Sequence, residues 1–171
     1  MKKYLLFLLL FPFNPAFAQE FPANFAGEWE GELLWFKKGN PVPQKINMQL
    51  KIFPDTAGNY AWQIIYGDAN TDARPYTLKP VNITSGHWQI DENNGIILDQ
   101  FWSGNRFSGS FSILNSIITN SYYLENGDLH VEFYSFETEP LNTTGGKDPG
   151  IPSVQSYSMK SFQKAILSKR N

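Results

Sequence analysis

The chain has no cysteine. That excludes disulfides, thiol chemistry and cysteine-ligated zinc, so the fold has to be held by its core alone. Histidine is nearly as scarce: His87 and His130 are the only two. Without clustered carboxylates around them they do not make a metal site. Basic runs are missing as well. Fourteen Lys and Arg face sixteen Asp and Glu, a formal charge of −2, which argues against nucleic acid and anionic membrane surfaces as partners. No window of 11–18 residues keeps a helical period, and no apolar run reaches the roughly 18–20 residues that cross a bilayer. There is no internal repeat, no low-complexity stretch and no linker that divides the chain.

The first residues read as an export signal. Met1-Lys2-Lys3 is a positive start, Tyr4 to Phe13 an apolar run, and Ala16-Phe17-Ala18 a small-residue cleavage motif. A cleaved signal peptide over 1–18 is therefore expected, with one domain over 19–171 and a periplasmic or secreted location. Cleavage removes Lys2 and Lys3, leaving 12 basic against 16 acidic residues, a formal charge of −4. No cysteine follows the cleavage motif, so a lipid anchor is not expected, and no membrane segment remains after cleavage.

What is abundant is alternation. In Gly27-Glu28-Trp29-Glu30-Gly31-Glu32-Leu33-Leu34-Trp35-Phe36, Trp29, Gly31, Leu33 and Trp35 share one face of an extended strand and the three glutamates share the other. Ile46, Met48, Leu50 and Ile52 alternate with Lys45, Asn47, Gln49 and Lys51, the period of a half-buried antiparallel strand. Further strands are expected over 60–66, 74–79, 86–91, 96–102, 106–114, 117–124, 129–137 and 153–162. Gly, Asn and Pro turns separate them, including Asn94-Gly95 and Asn126-Gly127. The segment 138–152 reads as a long irregular loop and 163–171 as a tail with a helical turn. About ten short, evenly spaced strands joined by hairpins predict an all-β, antiparallel up-and-down barrel. The competing architecture is a β-sandwich that binds carbohydrate or protein through exposed aromatics.

Gly27-Glu28-Trp29 on the first strand, followed by some ten meandering strands, resembles the calycin superfamily: lipocalins, fatty-acid-binding proteins and nitrobindin-like barrels. The resemblance spans Gly27 to about Phe162 and its motif is short. It implies that a basic residue of the last strand packs on Trp29, with Lys160 as the matching position and Lys164 as the second choice. Lysine there departs from the usual arginine, and the lipocalin helix before the last strand is missing. The resemblance also implies a small apolar or amphipathic ligand inside the barrel. In nitrobindin-like relatives it implies haem on a histidine, but neither His87 nor His130 lies in a haem motif, and no cofactor is expected.

Candidate binding residues are the aromatics and one arginine. Phe, Trp and Tyr make up 16% of the chain, enough to build a ligand pocket or simply to fill the barrel. Trp62, Tyr66, Tyr76, Trp88 and Trp102 are taken as pocket residues, with Arg74 at the barrel mouth. A guanidinium there could hold a ligand carboxylate through two parallel hydrogen bonds, or it could pair with Asp68 and Asp72 of its own loop. Arg106, opening a strand after a turn, reads as solvated. The carboxylate pairs and the serines at 108, 110 and 112 fit no catalytic arrangement. The expectation is a monomeric binding protein without enzymatic chemistry.

Overall fold

A computed structural model describes residues 21–170; the expected signal peptide lies outside the described residues. Ten antiparallel strands run β1 (Gly27–Lys37), β2 (Gln44–Pro54), β3 (Tyr60–Tyr66), β4 (Ala73–Asn82), β5 (His87–Asp91), β6 (Ile97–Ser103), β7 (Arg106–Ile113), β8 (Ser116–Glu125), β9 (Asp128–Thr144) and β10 (Val154–Lys169). Each pairs with its sequence neighbours, and β1 pairs with β10, so the sheet closes into a barrel without edges. The closed barrel excludes the sandwich.

Alternation places the side chains as the pattern predicts. Met48, Leu50 and Ile52 of β2 are fully buried. Their polar neighbours face out, where Lys45 and Lys51 pair with Glu32 and Glu28 of β1 at 2.9 and 3.2 Å. Burying each large apolar side chain stabilises the fold by about 1.5–3 kcal/mol. The Asn126-Gly127 turn has φ of 53° and 89°, the left-handed pair that a two-residue hairpin demands and that Asn-Gly accepts at low cost.

One barrel end is plugged. Residues 21–26, a short lead-in by sequence, form a 3₁₀ turn (Ala23–Phe25) whose aromatics enter the barrel. Phe21 stacks on Trp102 at 4.7 Å, meets Trp88 edge-on at 5.3 Å and contacts Phe107 at 4.5 Å between ring centroids. Phe25 is wholly buried, and its carbonyl accepts a 2.8 Å hydrogen bond from Trp29 Nε1. Trp29 thus helps close this end.

Three expectations need correction. The cation over Trp29 is Lys169, with Nζ 5.3 Å from the ring centroid; β10 runs to Lys169 and pairs it with Trp29. Lys160 sits at the opposite end, where its ammonium donates to Ser116 Oγ at 2.9 Å and lies 3.5 Å from Glu137. Lys164, the second choice, is exposed on the outer face opposite Glu132. The tail is strand rather than helical turn, because Gln163, Ala165 and Leu167 continue the inward period and β1 and β9 pair with it on both sides. Finally, residues 138–144 extend β9. The ladders to the barrel neighbours end at Glu137 and Ser161, with one further backbone bond each from Thr138 to Asn115 and from Lys38 to Lys160, and β9 and β10 then continue as a two-stranded arm joined by 145–153. The arm leaves the rim through three register shifts between Ser156 and Ser161, the kind of irregularity that bends a strand pair.

Candidate functional site

The end opposite the plug is open. A cavity of about 320 Å³ enters there, at the lower limit of the usual range for small-molecule sites, roughly 300–1,000 Å³. Its walls are inward positions of strands around the barrel: Trp35 of β1, Ile64 and Tyr66 of β3, Arg74 and Tyr76 of β4, Ile90 of β5 and Leu98 of β6. Phe111, Ile118, Tyr122 and Phe133 complete the aromatic and aliphatic lining, and Asn120 adds a buried amide. Ser135, Ser161, Gln163 and Glu92 add polar groups. Tyr122 belongs to the inner end, where it packs edge-on against Trp62 at 5.2 Å.

Of the candidate residues, the barrel brings Tyr66, Arg74 and Tyr76 together at the cavity. Trp62 is fully buried behind it, between Tyr122 and Phe107. Trp88 and Trp102 lie in the plug with Phe21 and do not line the cavity. The reason is position along the strand: the inward face of a strand spans the whole barrel, so two inward tryptophans can belong to opposite ends. All five tryptophans are buried or half-buried, so none forms an exposed row.

Arg74 pairs within its own loop. Its Nε and Nη2 donate to the two carboxylate oxygens of Asp72 at 2.8 and 3.1 Å, the two-bonded geometry that suits guanidinium and carboxylate. Asp68 instead caps the loop, accepting from the Asn70 backbone at 2.9 Å. The Arg74 guanidinium also lies 4.7 Å from the centre of the Tyr66 ring. Its pKa is raised, chiefly by the hydrogen bond to Asp72. Burial pushes the Tyr66 phenol up to about 12, the nearby guanidinium opposing. Burial also raises Tyr76, with the Glu92 carboxylate adding to it, and raises Tyr122 strongly. All three phenols stay neutral donors at ordinary pH.

Both histidines face outward. His87 bonds Asp99 at 2.7 Å and stacks on Phe101 at 4.8 Å; His130 stacks on Tyr123 at 4.9 Å, with Glu125 3.8 Å away. Neither reaches the cavity, so the interior residues do not fit a histidine-ligated haem. No group of three metal-ligating side chains occurs among the described residues. Arg106 is exposed and lies over the Tyr123 ring at 3.8 Å.

Sequence missed two buried amides, Asn120 on the cavity wall and Gln100, which does not line it. Gln100 and Asn120 occupy inward positions, between Leu98 and Trp102 and between Ile118 and Tyr122, and both are buried. A polar residue at an inward position of an apolar alternation is a legible signal. Gly109, opposite Asn120 on β7, supplies the room: a Cβ there would overlap the Gln100 amide.

Fold and site together define a closed ten-stranded antiparallel barrel, plugged at one end and hollow at the other. No family model matches the sequence, and no curated protein matches it. Among solved structures, a protein of unknown function from the DUF3598 family of Nostoc punctiforme is similar, with a TM-score of 0.61 at 13% identity. The match covers 86% of this chain and 48% of that one, so this chain spans about half that protein's length. At that identity the likeness is one of fold.

Proposed function

We propose that the protein is an exported carrier or sensor that holds a small apolar or amphipathic molecule inside the barrel and performs no chemistry on it. The observation that carries this reading is the cavity of about 320 Å³ at the unplugged end, walled by Trp35, Ile64, Tyr66, Tyr76, Leu98 and Phe133. An apolar pocket with a few convergent polar groups is the usual form of a small-molecule site. Export rests on the n-region, apolar run and Ala16-Phe17-Ala18 motif of the sequence. Kinship with calycins rests on Gly27-Glu28-Trp29, the ten-stranded meander and a last-strand cation over the first-strand tryptophan.

Native mass spectrometry of protein purified from its own source tests the reading. A co-purifying small molecule that is lost on denaturation is the expected result. A bare mass, combined with no response to an environment-sensitive apolar fluorophore, would sink it.

A further inference from the structure

Charge is unevenly matched at the mouth of the cavity. Two groups of opposite charge line it, Arg74 and Glu92. Arg74 already has its counter-charge, since Nε and Nη2 donate to the two oxygens of Asp72 at 2.8 and 3.1 Å. Two other carboxylates at this end also face a cation, Asp91 with Lys79 and Glu137 with Lys160. Asp68 has none, but it does not line the cavity and accepts from Asn70 of its own loop. Glu92, one residue past the end of β5, is half-buried and has no ion-pair partner among the described residues. Asn94 of the same turn donates to its Oε2 at 3.2 Å. A carboxylate beside an apolar cavity loses part of its water, and here no cation of the protein offsets the loss.

The rings of the wall differ in the same respect. Tyr66 already carries the Arg74 guanidinium at 4.7 Å, and Trp35 carries Lys37 Nζ at 4.7 Å. Lys37 does not line the cavity, and its strand stands four places from β5 in the ten-strand ring, almost across the mouth. Tyr76 carries no cation over its ring among the described residues. At its phenol the Glu92 carboxylate raises the pKa more than the charge of Arg74 lowers it, so the negative field is the stronger there. A ligand anion at this side of the mouth would meet Glu92 and Asp72 with Arg74 alone set against them. A ligand cation would gain both a counter-charge and an open ring face.

We infer that the mouth of this cavity takes the cationic head of an amphiphile, a long-chain amine or quaternary ammonium, against the Glu92 carboxylate and the Tyr76 ring, with the apolar tail running inward. The inference rests on the binding reading above and names its ligand class.

The test is displacement of an uncharged, environment-sensitive fluorophore from the full mature chain by a matched set of one chain length: alkylamine, alkyltrimethylammonium, alcohol and carboxylate. Wild type should bind the two cations about three- to thirtyfold more tightly than the alcohol, the range of a partly exposed ion pair with a cation–ring contact, and the carboxylate more weakly than the alcohol. Glu92→Gln should bring the cation-to-alcohol ratio close to one. Asp55→Asn makes the same change of charge in an exposed loop at the plugged end and should leave the ratio as in wild type. Glu92→Lys should reverse the order and favour the carboxylate, which keeps the test decisive if the glutamine variant does not fold. Equal displacement by all four probes, a carboxylate that binds best to wild type, or a cation preference that survives both Glu92 variants overturns the inference and leaves the carrier reading standing. An equal loss of preference in Asp55→Asn also overturns it, by tracing the preference to net charge. No fluorophore binding at all overturns both readings.

Discussion

Lys169 Nζ stands 5.3 Å from the ring centroid of Trp29, joining the end of the last strand to the start of the first. On the other side of the same indole, Nε1 donates to the Phe25 carbonyl at 2.8 Å. Trp29 therefore ties together the plug and the β1–β10 seam, the one junction that closes the sheet. Lys169→Ala should cost about 0.5–1 kcal/mol, as expected for a cation over an indole at an exposed site, and Lys169→Arg should restore it. Trp29→Phe leaves a buried carbonyl unpaired and should cost about 1–3 kcal/mol. Urea unfolding of the three variants checks both.

Gly109 is required by Gln100 rather than by backbone conformation. Gly109→Ala overlaps the Gln100 amide and should destabilise by about 1–3 kcal/mol, the range for overpacking a filled core. In a Gln100→Ala background the same substitution should cost little. A double-mutant cycle with additive effects would show that the clash is not with Gln100.

Asp72 restrains Arg74. The pair is partly exposed, so Asp72→Asn should change stability by less than about 1 kcal/mol. It should also free the guanidinium for anions. Affinity for a long-chain carboxylate should rise severalfold in Asp72→Asn and not in Asp72→Asn/Arg74→Met, measured by the same fluorophore displacement.

Stability should fall at alkaline pH. The Tyr66 phenol is raised to about 12 by burial, against about 10 in an unfolded chain, and Tyr122 is raised in the same direction. Between these values the unfolded state has released protons that the folded state keeps, so unfolding is favoured as pH rises. The stabilisation is complete below about pH 10 and is lost through about pH 12, on the order of 2 kcal/mol for Tyr66. Phenolate absorbance of the folded protein should lag that of the urea-unfolded chain by the corresponding interval, and Tyr66→Phe should flatten the profile.

The arm should be the first segment to open. As strand partners residues 139–144 and 154–158 have only each other, with Lys38 Nζ donating to Ser158 Oγ at 2.8 Å near the base of the arm, and Leu141 and Val154 are 72% and 52% exposed. An isolated two-stranded ribbon is marginally stable in water. Amides there should exchange far faster than those of β2 or β8, and limited proteolysis should nick 145–153 first while leaving the barrel folded.

Much of the barrel was legible because strand signals are local. Alternation of Ile46, Met48, Leu50 and Ile52 with polar residues marks β2, and Asn126-Gly127 marks the β8–β9 turn within a residue. Strand ends were less legible where pairing decides them. Nothing local says that residues 138–144 stay extended; they do so because Val154 to Tyr157 pair with them. Among the binding candidates, Tyr66, Arg74 and Tyr76 converge because β3 and β4 meet through the 67–72 loop, so nearness in sequence becomes nearness in space. Trp88 and Trp102 carry the same chemistry and the same inward alternation, yet they fall in the plug.

By itself the sequence determined the ten-stranded antiparallel class and which face of each strand turns inward, since a period of two is a property of neighbouring residues. Only the tertiary structure decided how far along the barrel each inward residue lies, because that depends on the register of every strand pair around a closed sheet. That register sets Lys169, not Lys160, over Trp29, packs Trp88 and Trp102 against Phe21, and brings Gln100 and Asn120 together across the space left by Gly109.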